Sequence, residues 1–423
     1  MRDDPSFGML RGLALGIAFG TAAHLLAGGS PWLEMLVANL TEPIGKIFLR
    51  LLFMLVLPLV ISSLALGIAG LGDLRSLGRI GLKTFVYTVV VSTIAVAIGV
   101  GLVNWLQPGA GLSEELRARL LAQAARAAPT APPARTDGVD FVVQLVPNNV
   151  VRAMADGDVL AVMVFSLLLG IGISLTETDA ARRFEKGLQG LYDVTMRLLG
   201  LVIRLAPLGV ACLVFSTVAR LGWGVLMQLG SFVGVVLLGL ALQQFVVYPI
   251  AVRWLGGMSP TRFFRDIRPA MLTAFSTSSS NATLPTALLV AEERLRLPPQ
   301  VSRFVLTIGS TANQNGTALF EGVTVLFLAQ FYGVRLTIAQ QVSVAFVCIL
   351  GGIGTAGVPA GSIPVVAMIL ASVGVPAEGV GLVLGVDRLL DMCRTTLNVT
   401  GDLAAAVVVS RGEPGAPVAD PAA

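Results

Sequence analysis

Five polar side chains recur along one apolar stretch near the end of the chain. Between Val375 and Ser410 stand Asp387, Asp391, Arg394, Asn398 and Asp402, at spacings of four, three, four and four. On a helix of 3.6 residues per turn these spacings confine all five to one stripe about 80° wide, with Arg388 off it. At 1.5 Å per residue the stripe runs roughly 22 Å, most of the hydrocarbon thickness of a bilayer. Each charge at the bilayer centre costs roughly 2.5–3.5 kcal/mol. Such a stripe must face partners or a wet cavity. A self-satisfied ladder of Asp–Arg pairs is the plainer reading; a site for charged cargo is the sharper one, favoured for ionisable residues inside a membrane.

A second cluster, Gly309-Ser-Thr-Ala-Asn-Gln-Asn-Gly-Thr317, sits in the apolar run 303–332. Adjacent amides and hydroxyls with two glycines suggest a locally unwound helix, whose freed carbonyls and amide oxygens suit a desolvated Na⁺. A kinked helix with polar glue is equally compatible with it. The third cluster, Ser278-Ser279-Ser280-Asn281, could present backbone N–H groups to a carboxylate at a half-helix start. Alone, such a run is more commonly a solvated loop.

The elements that must hold these clusters are membrane helices. Hydrophobic residues make up 55% of the 423, charged residues 13%, and the mean hydropathy is +0.83. A soluble domain needs more polar surface than that. Six ordinary spans are expected at 8–28, 43–72 (with a kink at Pro58), 80–106, 141–175, 188–221 and 225–255. No cleavable leader is expected, since the first apolar run lacks a small-residue cleavage site. The Ala-, Pro- and Arg-rich segment 107–138 reads as an exposed linker. Basic residues lie in short loops rather than on a soluble face, which argues for cytoplasmic loops and against nucleic acid. Three separated cysteines indicate neither a disulfide framework nor a zinc site, and the single His24 reads as an interior or interfacial histidine.

Beyond residue 256 the apolar runs are interrupted. Thr273–Pro285 (TAFSTSSSNATLP) and Gly351–Pro364 (GGIGTAGVPAGSIP) are hairpin-like, with arms too short to span alone. Non-helical backbone at membrane depth survives where protein buries it or it lines a cavity, and paired interrupted segments point to a transporter's binding site. No metal-ligand or Ser–His grouping suggests an enzyme. A channel lined by the charged stripe is a separate alternative.

The patches SSSNATLP, NQNGTALFEG, GGIGTAGVPAGSIP and DRLLDMCRTTLNVTGD, with FLRLLFMLVLPLVISSL and VLAVMVFSLLLGI earlier, resemble the glutamate transporter homologue family of dicarboxylate/amino acid:cation symporters over residues 8–410. The resemblance implies an all-α integral membrane protein of eight transmembrane helices plus two re-entrant hairpins, with inverted repeats and an elevator mechanism. It implies a homotrimer in the inner membrane, with scaffold helices in 1–255 (the third and sixth moving with the transport part), a transport region in 256–412 and a cytoplasmic tail, 413–423. The implied cargo is L-aspartate or L-glutamate, with a C4-dicarboxylate or a neutral amino acid as alternative. Arg394 would take the side-chain carboxylate and Asp391 the amino group. Asn398 and the backbone at Ser280 and Val358 would hold the α-carboxylate, with Thr317 and Thr395 nearby.

No cofactor is implied beyond Na⁺ as coupling ion, with H⁺ as a second candidate. One Na⁺ site carries over as Asp402, Asn313 and the carbonyls of Gly309 and Asn398. Another would use backbone at Thr311, Gly352, Ile353 and Thr355. A third does not carry over: Asn315 stands where the family has an aspartate and Gln314 where it has a methionine. Thr88 and Val91 replace the expected Tyr and Thr, leaving Ser92. Fewer coupled Na⁺ are expected than in archaeal relatives. Glu321 stands where archaeal members have glutamine and animal excitatory amino acid transporters a glutamate linked to protons. It is the expected proton carrier, an ion-paired or interfacial role being the plainer alternative.

Overall fold

The computed structural model describes residues 5–70, 78–110, 146–156, 159–354 and 362–414, and these are helical almost throughout. The chain opens with α1 (Pro5–Ala27), α2 (Pro31–Leu36), α3 (Glu42–Met54) and α4 (Val56–Gly70). The span expected at 43–72 thus begins earlier, a π-turn at Val37–Thr41 joining α2 to α3. It is interrupted at Leu55, because Pro58 has no N–H to offer the carbonyl of Met54. Next come α5 (Arg79–Leu106), α6 (Val150–Asp156) and α7 (Val159–Leu175). Most of the linker expected at 107–138, and the start of the span at 141–175, lie outside the described residues.

The span expected at 188–221 is instead two helices, α8 (Asp179–Ile203) and α9 (Ala206–Leu221), bent by 57°. Pro207 in the first turn of α9 cannot continue the hydrogen-bond ladder of α8. Helix α10 (Trp223–Leu242) runs on through π-type turns to Leu255, as expected for 225–255. Among the described residues three runs are long and apolar enough to cross a bilayer: Pro31–Leu66, Arg79–Leu106 and Gly224–Leu255; the bent pair makes a fourth if taken as one span.

The remainder is built of broken helices. α11 (Pro260–Thr277) and α12 (Ser280–Leu289) form the first hairpin, and α13 (Pro299–Ala312) and α14 (Asn315–Tyr332) are one helix broken at two residues. α15 (Ile338–Gly354) and α16 (Ser362–Ser372) are the arms of the second hairpin, whose tip lies outside the described residues. The last helix, α17 (Val380–Ser410), has 31 residues and is therefore roughly 46 Å long. It is the hub, with α11, α12, α13, α14 and α16 all packed on it.

Two contacts fix the periphery. α1 lies along α9, and Gly8, Gly12, Gly16 and Gly20 form the seam. A Cβ on Gly12 would stand 2.3 Å from the carbonyl oxygen of Pro207, and one on Gly20 2.9 Å from Val218 Cβ. Small residues four apart let two backbones touch where lipid supplies no hydrophobic drive between helices. His24 caps this seam by donating from Nδ1 to the carbonyl of Ala219 at 3.0 Å, as its plain reading expected. At the far end of α17, Arg411 Nη1 donates to the carbonyls of Trp254 (2.7 Å) and Leu255 (3.1 Å). Glu413 accepts from Arg79 Nη2 at 2.7 Å and Lys83 Nζ at 2.9 Å.

Candidate functional site

The break in the α13–α14 helix is confined to Asn313 (φ −107°, ψ 63°) and Gln314 (φ −98°, ψ 57°). It is narrower than the segment 309–317 suggested by sequence, because the backbone N–H of Asn313 still reaches the carbonyl of Gly309 at 2.9 Å. The break turns three amide side chains toward α17. Asn313 Nδ2 donates to Asp402 Oδ1 at 2.8 Å, whereas Asn313 Oδ1 is buried with no hydrogen-bond partner. The backbone of Gly309 comes so close that a Cβ there would stand 2.5 Å from Asp402 Oδ1. A buried carboxylate, an orphaned amide oxygen and nearby carbonyls form an all-oxygen donor set of the kind hard monovalent cations take. Of the proposed Na⁺ ligands, the structure brings together Asp402, Asn313 and Gly309.

Asn398 is fully engaged. Its Oδ1 accepts from the N–H of Gly316 at 2.7 Å, and its Nδ2 donates to Gln314 Oε1 and, at 3.2 Å, to Thr317 Oγ1. The amide thereby caps the start of α14, which has no side-chain cap of its own. Gln314 also reaches the first hairpin, its Nε2 lying 3.5 Å from Ser280 Oγ. There Ser278 takes the left-handed conformation (φ 49°) and Ser279 Oγ accepts from the N–H of Ala282 at 3.2 Å. Ser280 opens α12, where amides have no acceptor within the helix. Thr317, Thr395 and Ser280 are all buried. Gln314, absent from the residues singled out as ligands, is the bridge between hairpin and helix break; its place between two asparagines was the available signal.

One turn along α17 lies the charged centre. Arg394 is 1% exposed. Its Nη2 donates to Asp391 Oδ1 at 2.7 Å, its Nη1 stands 3.1 Å from Asp387 Oδ1, and its Cζ lies 4.0 Å above the ring of Phe320. Its Nε and Nη1 have no hydrogen-bond partner. The predicted stripe therefore exists as a contact network, part of it the Asp–Arg ladder of the plainer reading. Arg394 also keeps unspent donors, which a planar carboxylate can satisfy two at a time.

Where the family's third Na⁺ site was expected not to carry over, the side chains bond to one another. Asn315 Oδ1 accepts from Ser92 Oγ, Asn315 Nδ2 donates to Tyr248 Oη at 3.2 Å, and Tyr248 Oη donates to the carbonyl of Leu397 at 3.2 Å. Thr88 and Val91 are buried beside Ser92 on α5. Glu321 is fully buried on α14 and faces α15: a Cβ on Gly351 would stand 2.9 Å from its Oε2. Gly352 packs beside it, its virtual Cβ 3.1 Å from Ala318 Cβ. Thr311 lies at the end of α13 and Ile353 near the end of α15. Val358 and Thr355 fall outside the described residues. Among the described residues no group of three His, Cys, Asp or Glu is placed to hold a metal ion.

Known proteins resemble this chain along most of its length. The family model described as "Sodium:dicarboxylate symporter family" matches residues 6–412. The chain is 35% identical over 406 residues to a proton/glutamate-aspartate symporter of Escherichia coli K12, covering 96% of this chain and 92% of that protein. It is 34% identical over 408 residues to a proton/sodium-glutamate symport protein of Bacillus subtilis, covering 96% and 93%. A C4-dicarboxylate transport protein of Anaeromyxobacter sp. strain K is 34% identical over 373 residues, covering 88% and 84%. With a match across nearly its whole length, the chain belongs to the sodium:dicarboxylate symporter family.

Proposed function

We propose that the protein is a secondary symporter of the bacterial inner membrane that carries L-aspartate or L-glutamate inward on Na⁺, H⁺ or both. The observation that carries this reading is the buried Arg394–Asp391 pair with unspent donors on Arg394. An acidic amino acid offers a carboxylate for the unspent donors of the guanidinium and an ammonium for Asp391, so both side chains meet a partner of opposite charge on the cargo. A neutral amino acid would leave Nε and Nη1 of Arg394 without a hydrogen-bond partner. The names of the relatives in Escherichia coli and Bacillus subtilis support the same cargo and both coupling ions.

In this reading Arg394 takes the side-chain carboxylate and Asp391 the ammonium. The α-carboxylate lies against the first amides of α12 at Ser280 and the second hairpin tip at Val358, with Thr317, Thr395 and Asn398 around it. Asn398 can join only by exchanging one of its present acceptors, Gln314 or Thr317. Na⁺ binds at Asp402, Asn313 and the carbonyls of Gly309 and Asn398, and a second ion at Thr311, Gly352, Ile353 and Thr355. The self-paired Asn315 leaves no third site. Glu321, buried on α14 against Gly351 of the second hairpin, carries the proton. Residues 256–412, with the third and sixth helices of an eight-helix fold, move as the transport body against scaffold helices in 1–255 of a homotrimer.

The test is uptake of labelled L-aspartate into proteoliposomes under separate Na⁺ and pH gradients. Accumulation under either gradient alone is expected, and none under either would refute the reading. Uptake driven by a pH gradient without Na⁺, lost in Glu321→Gln, would assign the proton to Glu321.

A further inference from the structure

Asp391 is flanked by two arginines, one on each side. At 100° per residue, Arg388 lies 60° to one side of Asp391 on α17 and Arg394 60° to the other. The contacts follow that geometry. Arg394 Nη2 is 2.7 Å from Asp391 Oδ1, and Arg388 Nη1 is 3.9 Å from Asp391 Oδ2. Each carboxylate oxygen thus has its own guanidinium. The Arg388 side chain is 12% exposed, and its Nε is buried with no hydrogen-bond partner. With Asp387 and Arg394 included, these four side chains are two carboxylates and two guanidiniums, a formal balance of zero, with the Glu321 carboxyl also acting on Arg394 from α14.

That balance bears on the amino group of the cargo, given the reading above in which Asp391 receives the ammonium. An ammonium arriving there meets a carboxylate already shared between two cations. A dicarboxylate without an amine leaves Asp391 still paired and uses only the unspent donors of Arg394. We propose that Arg388 is a specificity-determining residue: by compensating Asp391 it removes the need for an amino group, so the site takes C4-dicarboxylates alongside acidic amino acids. Without Arg388, a dicarboxylate leaves Asp391 buried with one fewer counter-charge and facing a second anion. Sites discriminate most strongly when the wrong ligand leaves a buried polar group uncompensated. A mere i,i+3 clip on the helix would add little stability and would leave selectivity alone.

The experiment is uptake of labelled L-aspartate by the full-length protein in proteoliposomes, competed with unlabelled succinate. It gives the ratio of the succinate Ki to the aspartate KM. The parent ratio is expected below about 100, and Arg388→Gln should raise it by about tenfold or more, chiefly through a higher Ki, with the aspartate KM unchanged or lower. Arg388→Lys, which keeps the charge, should restore the parent ratio. A smaller shift in Arg388→Gln, or a failure of Lys to restore it, overturns the proposal. So does a parent ratio above about 100, which needs no variant to insert. A parent that takes up neither aspartate nor glutamate removes the acidic amino acid reading and this proposal together. An unmoved ratio with intact aspartate uptake removes only the role of Arg388.

Discussion

Two asparagines two residues apart, Asn313 and Asn315, sit in pockets of opposite character. Asn313 spends its N–H₂ on Asp402 and keeps a buried oxygen without a hydrogen. Asn315 has both ends answered, by Ser92 and by Tyr248. The first pocket holds a carboxylate and an orphaned acceptor, so an ion completes it. The second is neutral and complete, so an ion would have to displace two hydrogen bonds and find no full charge in return. Similar residue types, on one helix break, thus make a receptor in one place and a structural joint in the other. What separates them is whether the pocket's oxygens have hydrogens to bind.

Several substitutions can break that contrast. Asp402→Asn removes the only formal charge named in the first pocket; half-saturating Na⁺ in aspartate uptake should rise about 100-fold, about 2.8 kcal/mol. An unchanged Na⁺ dependence would show that the orphaned Asn313 oxygen serves something else. Asn315→Ala should cost about 1–3 kcal/mol of stability by unpairing buried hydroxyls, seen as a lower melting temperature in detergent. Its Na⁺ stoichiometry should stay as in the parent; a lost Na⁺ would make the second pocket a receptor after all. Gly309→Ala places a methyl against Asp402, and about a tenfold loss in apparent Na⁺ affinity is expected, about 1.4 kcal/mol.

The smallest effect is expected far from both pockets. Hydrogen bonds from Arg79 and Lys83 hold Glu413 below the usual carboxylate range. Its contribution to stability is therefore present above the unfolded value, about 4.3, and lost as pH falls through the folded one. The melting difference between parent and Glu413→Gln should be slight at neutral pH and vanish in acid; a difference that persisted there would assign it to packing.

Much of the site could be read from sequence because its parts lie on one helix. The spacing of Asp387, Asp391, Arg394, Asn398 and Asp402 fixes their common face, whatever packs against it. The same arithmetic puts Arg388 three residues from Asp391, within reach, although it lies off the stripe. Contacts between distant segments were less legible. Ser92 and Tyr248 meet Asn315 across 223 and 67 residues, and no local pattern encodes that meeting. The bend before Pro207 was missed because the apolar run continues through it, hydropathy being blind to a lost backbone donor. The glycines of α1 were likewise hidden, since hydropathy counts them as filler rather than as a groove.

That groove also has a timing. Its partner surface on α9 begins at Pro207 and ends near Val218, about two hundred residues after Gly8 leaves the ribosome. At roughly 5–20 residues per second, α1 waits on the order of 10–40 s with its backbone notch facing lipid or the insertion machinery. A nascent chain arrested before α9 would carry a helix in the membrane with nowhere to dock, an opening for mispairing or proteolysis that closes only when α9 arrives.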